Sequence, residues 1–149
     1  MADLQISSTA FSDGQTIPQR HTCEGDNVSP PLSWSGAPSE ARSLALIVDD
    51  PDAPSGTFVH WLAWGLDPGS NGLDEGQPAP VEGTNGFGEK GYGGPCPPPG
   101  HGPHRYFHRL YSLNSELDLA AGASREELDV ALEGRVVGTA ELVGTYERE

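Results

Sequence analysis

Residues 104–113 read His-Arg-Tyr-Phe-His-Arg-Leu-Tyr-Ser-Leu, directly after Pro103. Side chains alternate across a strand with period two, so His104, Tyr106, His108 and Leu110 share one face and Phe107, Tyr111 and Leu113 the other. Large apolar groups on both faces place this strand centrally in a sheet. Working outward, Phe58–Leu66 (FVHWLAWGL) reads as a second strand, with His60, Leu62, Trp64 and Leu66 expected on one face. Leu44–Val48 is an unbroken apolar run stopped by Asp49-Asp50-Pro51-Asp52, the pattern of a buried strand ended by turn chemistry. Thr139–Tyr146 alternates and reads as a closing strand, and Leu4–Ile6 and Leu32–Trp34 are shorter candidates.

One segment has helical signals: Ser124 can cap it, Glu127 completes a capping box, and Leu128, Ala131 and Leu132 follow at helical spacing before Gly134. Strands separated by turn-rich loops, with one short helix near 125–133, predict a mostly β protein. The expected architecture is an antiparallel β-sandwich with a peripheral helix.

The 149 residues suit one domain spanning 1–149, large enough for a genuine core. With 20 Gly and 14 Pro, long helices are not expected. The net charge of −14 sets 22 acids against eight cations, of which only Lys90 is lysine. Nucleic acid is excluded as a partner, because its binding requires clustered Lys and Arg. The acids are scattered along the chain, which reads as a solvated surface whose self-repulsion salt must screen, as in a salt-loving host. No apolar run approaches a membrane span, and the opening Met-Ala-Asp-Leu-Gln lacks the regions of a signal peptide, so a cytoplasmic location is expected. In that compartment Cys23 and Cys96 are expected to stay unpaired more readily than to form a disulfide.

Gly83–Pro103 holds eight Gly and five Pro in 21 residues and joins two central strands. The rigid Pro97-Pro98-Pro99 run argues for an ordered ligand loop. Within it Gly86–Gly91 matches G-x-G-x-x-G, but no helix opens after it, and turn glycines explain the match better than nucleotide binding. His101, His104 and His108 have spacings seen in zinc sites. On a strand, however, residues four apart lie about 13 Å from each other, too far to share an ion bonded at ~2 Å, so no metal is assigned. His101 and His108 are instead expected to be partly exposed polar side chains. No nucleophile elbow accompanies any serine. Asp49, Asp50 and Asp52 lack calcium-loop spacing, and turn and strand-capping roles are expected there, with Asp50 set apart because Pro51 holds it extended at a strand end.

The constellation with chemical content is Asp50, His60, His104 and Tyr106: one acid at a strand end and two imidazoles on neighbouring strands, beside a loop rich in free N–H groups. Such a set can hold an anion, and a nearby carboxylate would favour the charged imidazole. Histidines satisfied by backbone within a core account equally well for the same pattern.

Two stretches, Asp49–Leu62 (DDPDAPSGTFVHWL) and Gly91–Leu110 (GYGGPCPPPGHGPHRYFHRL), resemble the phosphatidylethanolamine-binding proteins, also called Raf kinase inhibitor proteins, in their bacterial and archaeal branch. Weaker similarity covers most of the chain, including His21–Gly36. The resemblance implies a β-sandwich with a small cavity for phosphate, acetate or phospholipid head groups. Asp50, His60, His104 and Tyr106 would form the pocket, with Pro54, Gly94 and Pro95 lining its rim. Two residues depart from the pattern: His108, where relatives carry a hydrophobic residue, and Phe58, often Trp, which bears on the cavity wall. The eukaryotic C-terminal helix near the pocket is missing, implying a more open site.

The function implied is non-enzymatic binding of an anion, without cofactor, docking a phosphorylated ligand or partner. The alternatives are a kinase- or protease-inhibitor-like scaffold acting through its surface, and a weak hydrolase with His60 as base oriented by Asp50. Partners would be a small anion or phosphorylated head group, a protein, or a second copy in a homodimer.

Overall fold

The structure, a computed structural model, describes residues 3–149. In chain order its strands are β1 (Gln5–Ser7), β2 (Leu32–Ser35), β3 (Ser43–Asp50), β4 (Phe58–Leu66), β5 (Gly72–Leu73), β6 (Val81–Glu82), β7 (His104–Leu113) and β8 (Val136–Tyr146), with helix α1 (Arg125–Leu132) before the last. They form two antiparallel sheets, ordered β1-β2-β5 and β6-β4-β3-β7-β8. The capping box forms as expected: Glu127 N–H donates to Ser124 Oγ at 3.2 Å, and Ser124 N–H to Glu127 Oε1 at 3.0 Å.

Strand β3 is buried along its whole length because both faces are covered. Leu44, Leu46 and Val48 point into the gap between the sheets and meet Ile6, Leu32 and Trp34 there. Ala45 and Ile47 point the other way, against Leu128 and Leu132 of α1. The helix therefore seals the outer face of the larger sheet, and truncating the fully buried Leu128 to Ala would cost about 2–5 kcal/mol.

The expected sharing of one face by His60, Leu62, Trp64 and Leu66 is corrected by two irregularities in the β3–β4 ladder. Register shifts lie between Val48 and Asp49 and between Leu44 and Leu46 on β3. Each gives β4 one residue more than its partner, and one extra residue exchanges the faces of everything beyond it. Trp61 and Ala63 thus enter the inter-sheet core, Leu62 and Trp64 pack toward α1, and Leu66 returns to the core after Gly65 at φ +71°. His60 sits at the first irregularity, beside the rings of Phe58 and Tyr106.

Strands β3 and β8 run beyond the expected Leu44–Val48 and Thr139–Tyr146, and β5 and β6, two residues each, carry no pattern of their own. Two further expectations fail. Cys23 and Cys96 form a disulfide with Cα atoms 5.4 Å apart. His108 is 1% exposed, not a surface side chain, whereas His101 is exposed.

Candidate functional site

At the ends of β3, β4 and β7 a cavity of about 170 Å³ opens, lined by Asp50, Pro54, His60, His104 and Tyr106 together with Phe58, Phe87, Cys96, Pro97 and Pro98. Liquid water occupies about 30 Å³ per molecule, so there is room for a tetrahedral oxyanion with a short substituent. Gly94 and Pro95 are buried just before this wall and do not line it. Gly94 is packed so closely on the Thr22 backbone and the His21 carbonyl that a Cβ would collide, and its N–H donates to Asn27 Oδ1 at 2.8 Å.

The loop that closes the cavity is held at several points. Asn85 Oδ1 accepts from Phe87 N–H and Glu89 N–H at 2.9 and 3.2 Å, while its amide donates to Gly91 O at 2.9 Å. This turn presses the Phe87 ring against Phe58, with centroids 4.8 Å apart. Gly86 and Gly93 lie where a side chain would strike the Phe58 and Phe87 rings, so glycines of the G-x-G-x-x-G run and its neighbour serve aromatic packing. Tyr92 donates to His21 O at 2.7 Å, Cys23 N–H to Pro95 O at 3.1 Å, and Arg148 Nε to Pro97 O at 2.6 Å. On the opposite rim, Asp52 accepts from Arg105 N–H, Nε and NH2, each at 2.9 Å, and these bonds hold its carboxyl down to about 2.

Four buried polar side chains meet at the floor: Asp50, His60 and His104 are 2–3% exposed and Tyr106 1%. Asp50 Oδ1 caps the strand end by accepting from Asp52 N–H at 2.7 Å, and Oδ2 accepts from His104 Nδ1 at 2.7 Å. His104 Nε2 lies 2.6 Å from His101 Nδ1, a separation that one shared proton satisfies. Asp50 therefore orients His104 rather than His60. His60 Nδ1 donates to Gly93 O at 2.6 Å, which leaves Nε2 as the ring's remaining hydrogen-bonding atom.

Burial pushes the His60 pKa below the ordinary histidine value, outweighing the Gly93 carbonyl and the more distant carboxylates of Asp50 and Asp49. Burial thus disfavours the charged imidazole at this position, opposite to the upward shift expected from an adjacent carboxylate. Tyr106 is pushed up, first by burial and then by the charge of Asp50, so it stays a neutral O–H donor. That hydroxyl is buried and has no hydrogen-bond partner among the described residues.

Cys96, Pro97, Pro98 and Phe87 were not singled out as wall residues by the sequence pattern, although the Pro97–Pro99 run already marks a rigid segment. On the far face of the same strand end, Asp49, 1% exposed, is paired with Arg109 and Arg125 at 3.2 and 2.9 Å. Adjacent carboxylates thus serve opposite sides of the sheet.

The family model for phosphatidylethanolamine-binding protein matches residues 7–147. Over 152 aligned residues the chain is 51% identical to a UPF0098 protein of Methanothermobacter thermautotrophicus, covering 97% of this chain and 99% of that one. Among solved structures, a phosphatidylethanolamine-binding protein homologue, CT736 from Chlamydia trachomatis, superposes with a TM-score of 0.94 at 43% identity over 99% of both chains. YbcL of E. coli, described as a member of the mammalian family, superposes with a TM-score of 0.92 at 30% identity, covering 99% of this chain and 100% of its own. The sequence match runs through the three strand ends that build the cavity and the loop that closes it, and on that ground the chain belongs to the phosphatidylethanolamine-binding protein family.

Proposed function

We propose that the cavity binds a small oxyanion, a phosphate or carboxylate head, without turning it over. The observation that carries this reading is Tyr106, which lines the cavity beside His60 and whose buried hydroxyl has no hydrogen-bond partner among the described residues. An acceptor placed there removes a desolvation penalty of about 1–3 kcal/mol. His60 Nε2 supplies a second donor once protonated, and the apolar walls of Phe58, Phe87, Pro97 and Pro98 strengthen both bonds by excluding water.

The buried Asp50 carboxylate opposes a second negative charge, so the anion enters with a proton that settles on His60. The site supports binding rather than hydrolysis because the acid–imidazole pair, Asp50 and His104, leads to His101 and not to a hydroxyl nucleophile.

Because burial depresses the His60 pKa and an anion raises it, binding takes up protons between the two values, and affinity falls as pH rises from the lower value to the higher. Titration with inorganic phosphate, by calorimetry in buffers of different ionisation enthalpy, tests this. Weak binding with proton uptake is expected, diminished at least tenfold by His60→Ala and severalfold by Tyr106→Phe. Equal phosphate affinity in the parent and both variants would overturn the assignment.

A further inference from the structure

The Cys23–Cys96 disulfide joins two loops and lies outside every strand and helix. Its two ends are in different surroundings. Cys23 is exposed, whereas Cys96 is half-buried and forms part of the cavity wall. The bond bridges the seam between the segment 19–28 and the loop that closes the site.

That seam also has non-covalent ties. Cys23 N–H donates to Pro95 O at 3.1 Å, Gly94 N–H to Asn27 Oδ1 at 2.8 Å and Tyr92 Oη to His21 O at 2.7 Å. The 19–28 segment is closed on itself by buried His21, whose Nδ1 lies 2.9 Å from Val28 O, and is tied elsewhere by Arg20 Nε and Nη2, which donate to the Glu75 carboxylate at 2.9 Å each. Neither core cluster includes a cysteine. Cutting the bond therefore removes one tie across the cavity wall and leaves the sandwich standing.

We propose that this disulfide is a thiol-exchange site for a dithiol reductant and that its reduction loosens the cavity wall. A reductant thiolate attacks the sulfur of the exposed Cys23, the S–S bond breaks, and Cys96 leaves as a thiolate at the cavity edge and takes up a proton. The second thiol of the reductant, as its thiolate, then attacks the mixed disulfide and releases Cys23. The reductant ends as a disulfide, and the two cysteines have gained two electrons and two protons. Exchange is favoured by access to the attacked sulfur, and exposed disulfides are the labile, regulatory kind. Without the bond, Cys96–Pro98 keeps its place through Arg148 Nε donating to Pro97 O at 2.6 Å and through the Pro95 contact. Backbone openings in that stretch become more frequent, while β3 and β7 keep their pairing in the folded state.

The effect on ligand rests on the anion-binding reading above, but the exchange chemistry and the loosening do not. The folded protein is treated with dithiothreitol at neutral pH, reduction is followed by alkylation and mass measurement, and amide hydrogen exchange is compared before and after. Reduction much faster than global unfolding is expected. The Cys23 and Gly94 amides should then exchange at least tenfold faster by local opening, with the Leu46 and Leu110 amides remaining the slowest of the four. Phosphate should bind severalfold more weakly, and Cys23→Ser/Cys96→Ser should reproduce the reduced behaviour and ignore dithiothreitol. Reduction only at the rate of global unfolding, or reduction that leaves the Cys23 and Gly94 amides unaltered, overturns the proposal. Faster exchange at those amides in a protein that binds no phosphate in either state supports the redox site and removes the anion reading instead.

Discussion

Histidine 108 should make this protein sensitive to mild acid in a way that one substitution removes. Its ring is 1% exposed, packed 5.5 Å from the Phe11 ring, and its Nδ1 lies 3.2 Å from both Tyr106 O and Leu142 O. Burial pushes its pKa down to about 4, whereas the unfolded chain titrates near 6.5. Between those values the unfolded state holds a proton that the folded state refuses. The contribution is therefore intact above about 6.5 and declines as pH falls, by roughly 3 kcal/mol when about 4 is reached. In a domain of this size that loss equals a fall of roughly 6–12 °C in Tm. The carboxylates add their own acid loss, so the comparison needed is with His108→Leu, which has a similar volume and no titratable group. Thermal unfolding followed by circular dichroism from pH 8 to pH 4 should show the variant gaining on the parent by that amount as pH drops, with the two curves parallel above 7. Curves parallel over the whole range would refute the reasoning, because a histidine buried neutral cannot unfold without taking up its proton.

Three other outcomes follow from the same contacts. Replacing both cysteines by serine frees a loop of 73 residues in the unfolded chain, a loss of roughly 4 kcal/mol in the loop-entropy account, measurable as a lower urea midpoint. Gly94→Ala places a methyl group against the His21 carbonyl and the Asn27 side chain and should cost roughly 1–3 kcal/mol in the same assay, with phosphate affinity falling as the wall shifts. With 22 acids against eight cations, Tm should rise as potassium chloride is added and the screening length falls from about 30 Å at 0.01 M to about 3 Å at 1 M; a midpoint that stays level, while a less acidic relative used as control gains, would remove the salt-loving reading of the surface.

The long strands were legible because their side chains state both faces at once. In β7, Tyr106 and Leu110 enter the inter-sheet core, while Phe107 lies under the Arg105 and Arg109 guanidiniums on the other side. The helix was legible because Ser124 and Glu127 form a local capping pair. Gly72–Leu73 and Val81–Glu82 were not, since two residues have no period and become strands only by pairing with β2 and β4. The Cys23–Cys96 pairing depends on a separation of 73 residues that no local pattern encodes, and the cytoplasmic expectation steered the reading away from it. The buried state of His108 follows from its neighbours Tyr106 and Leu110, yet polarity alone argued for the surface. Among the described residues, no helix is long and apolar enough to cross a membrane.

The irregularity at His60 separates two kinds of evolutionary constraint along a single strand. Residues beyond it, from Trp61 onward, answer to the packing of two cores, while Phe58 and His60 shape the cavity wall. A strand in uninterrupted alternation would couple these demands, because re-aiming the cavity residue would re-aim every side chain after it. With the extra residue absorbing the change of phase, substitutions at positions 58 and 60 can reshape the cavity while the hydrophobic interior stays fixed. Insertions or deletions between residues 59 and 61 are the changes such a lineage could not tolerate, since they would exchange the Trp61 and Leu62 environments in one step.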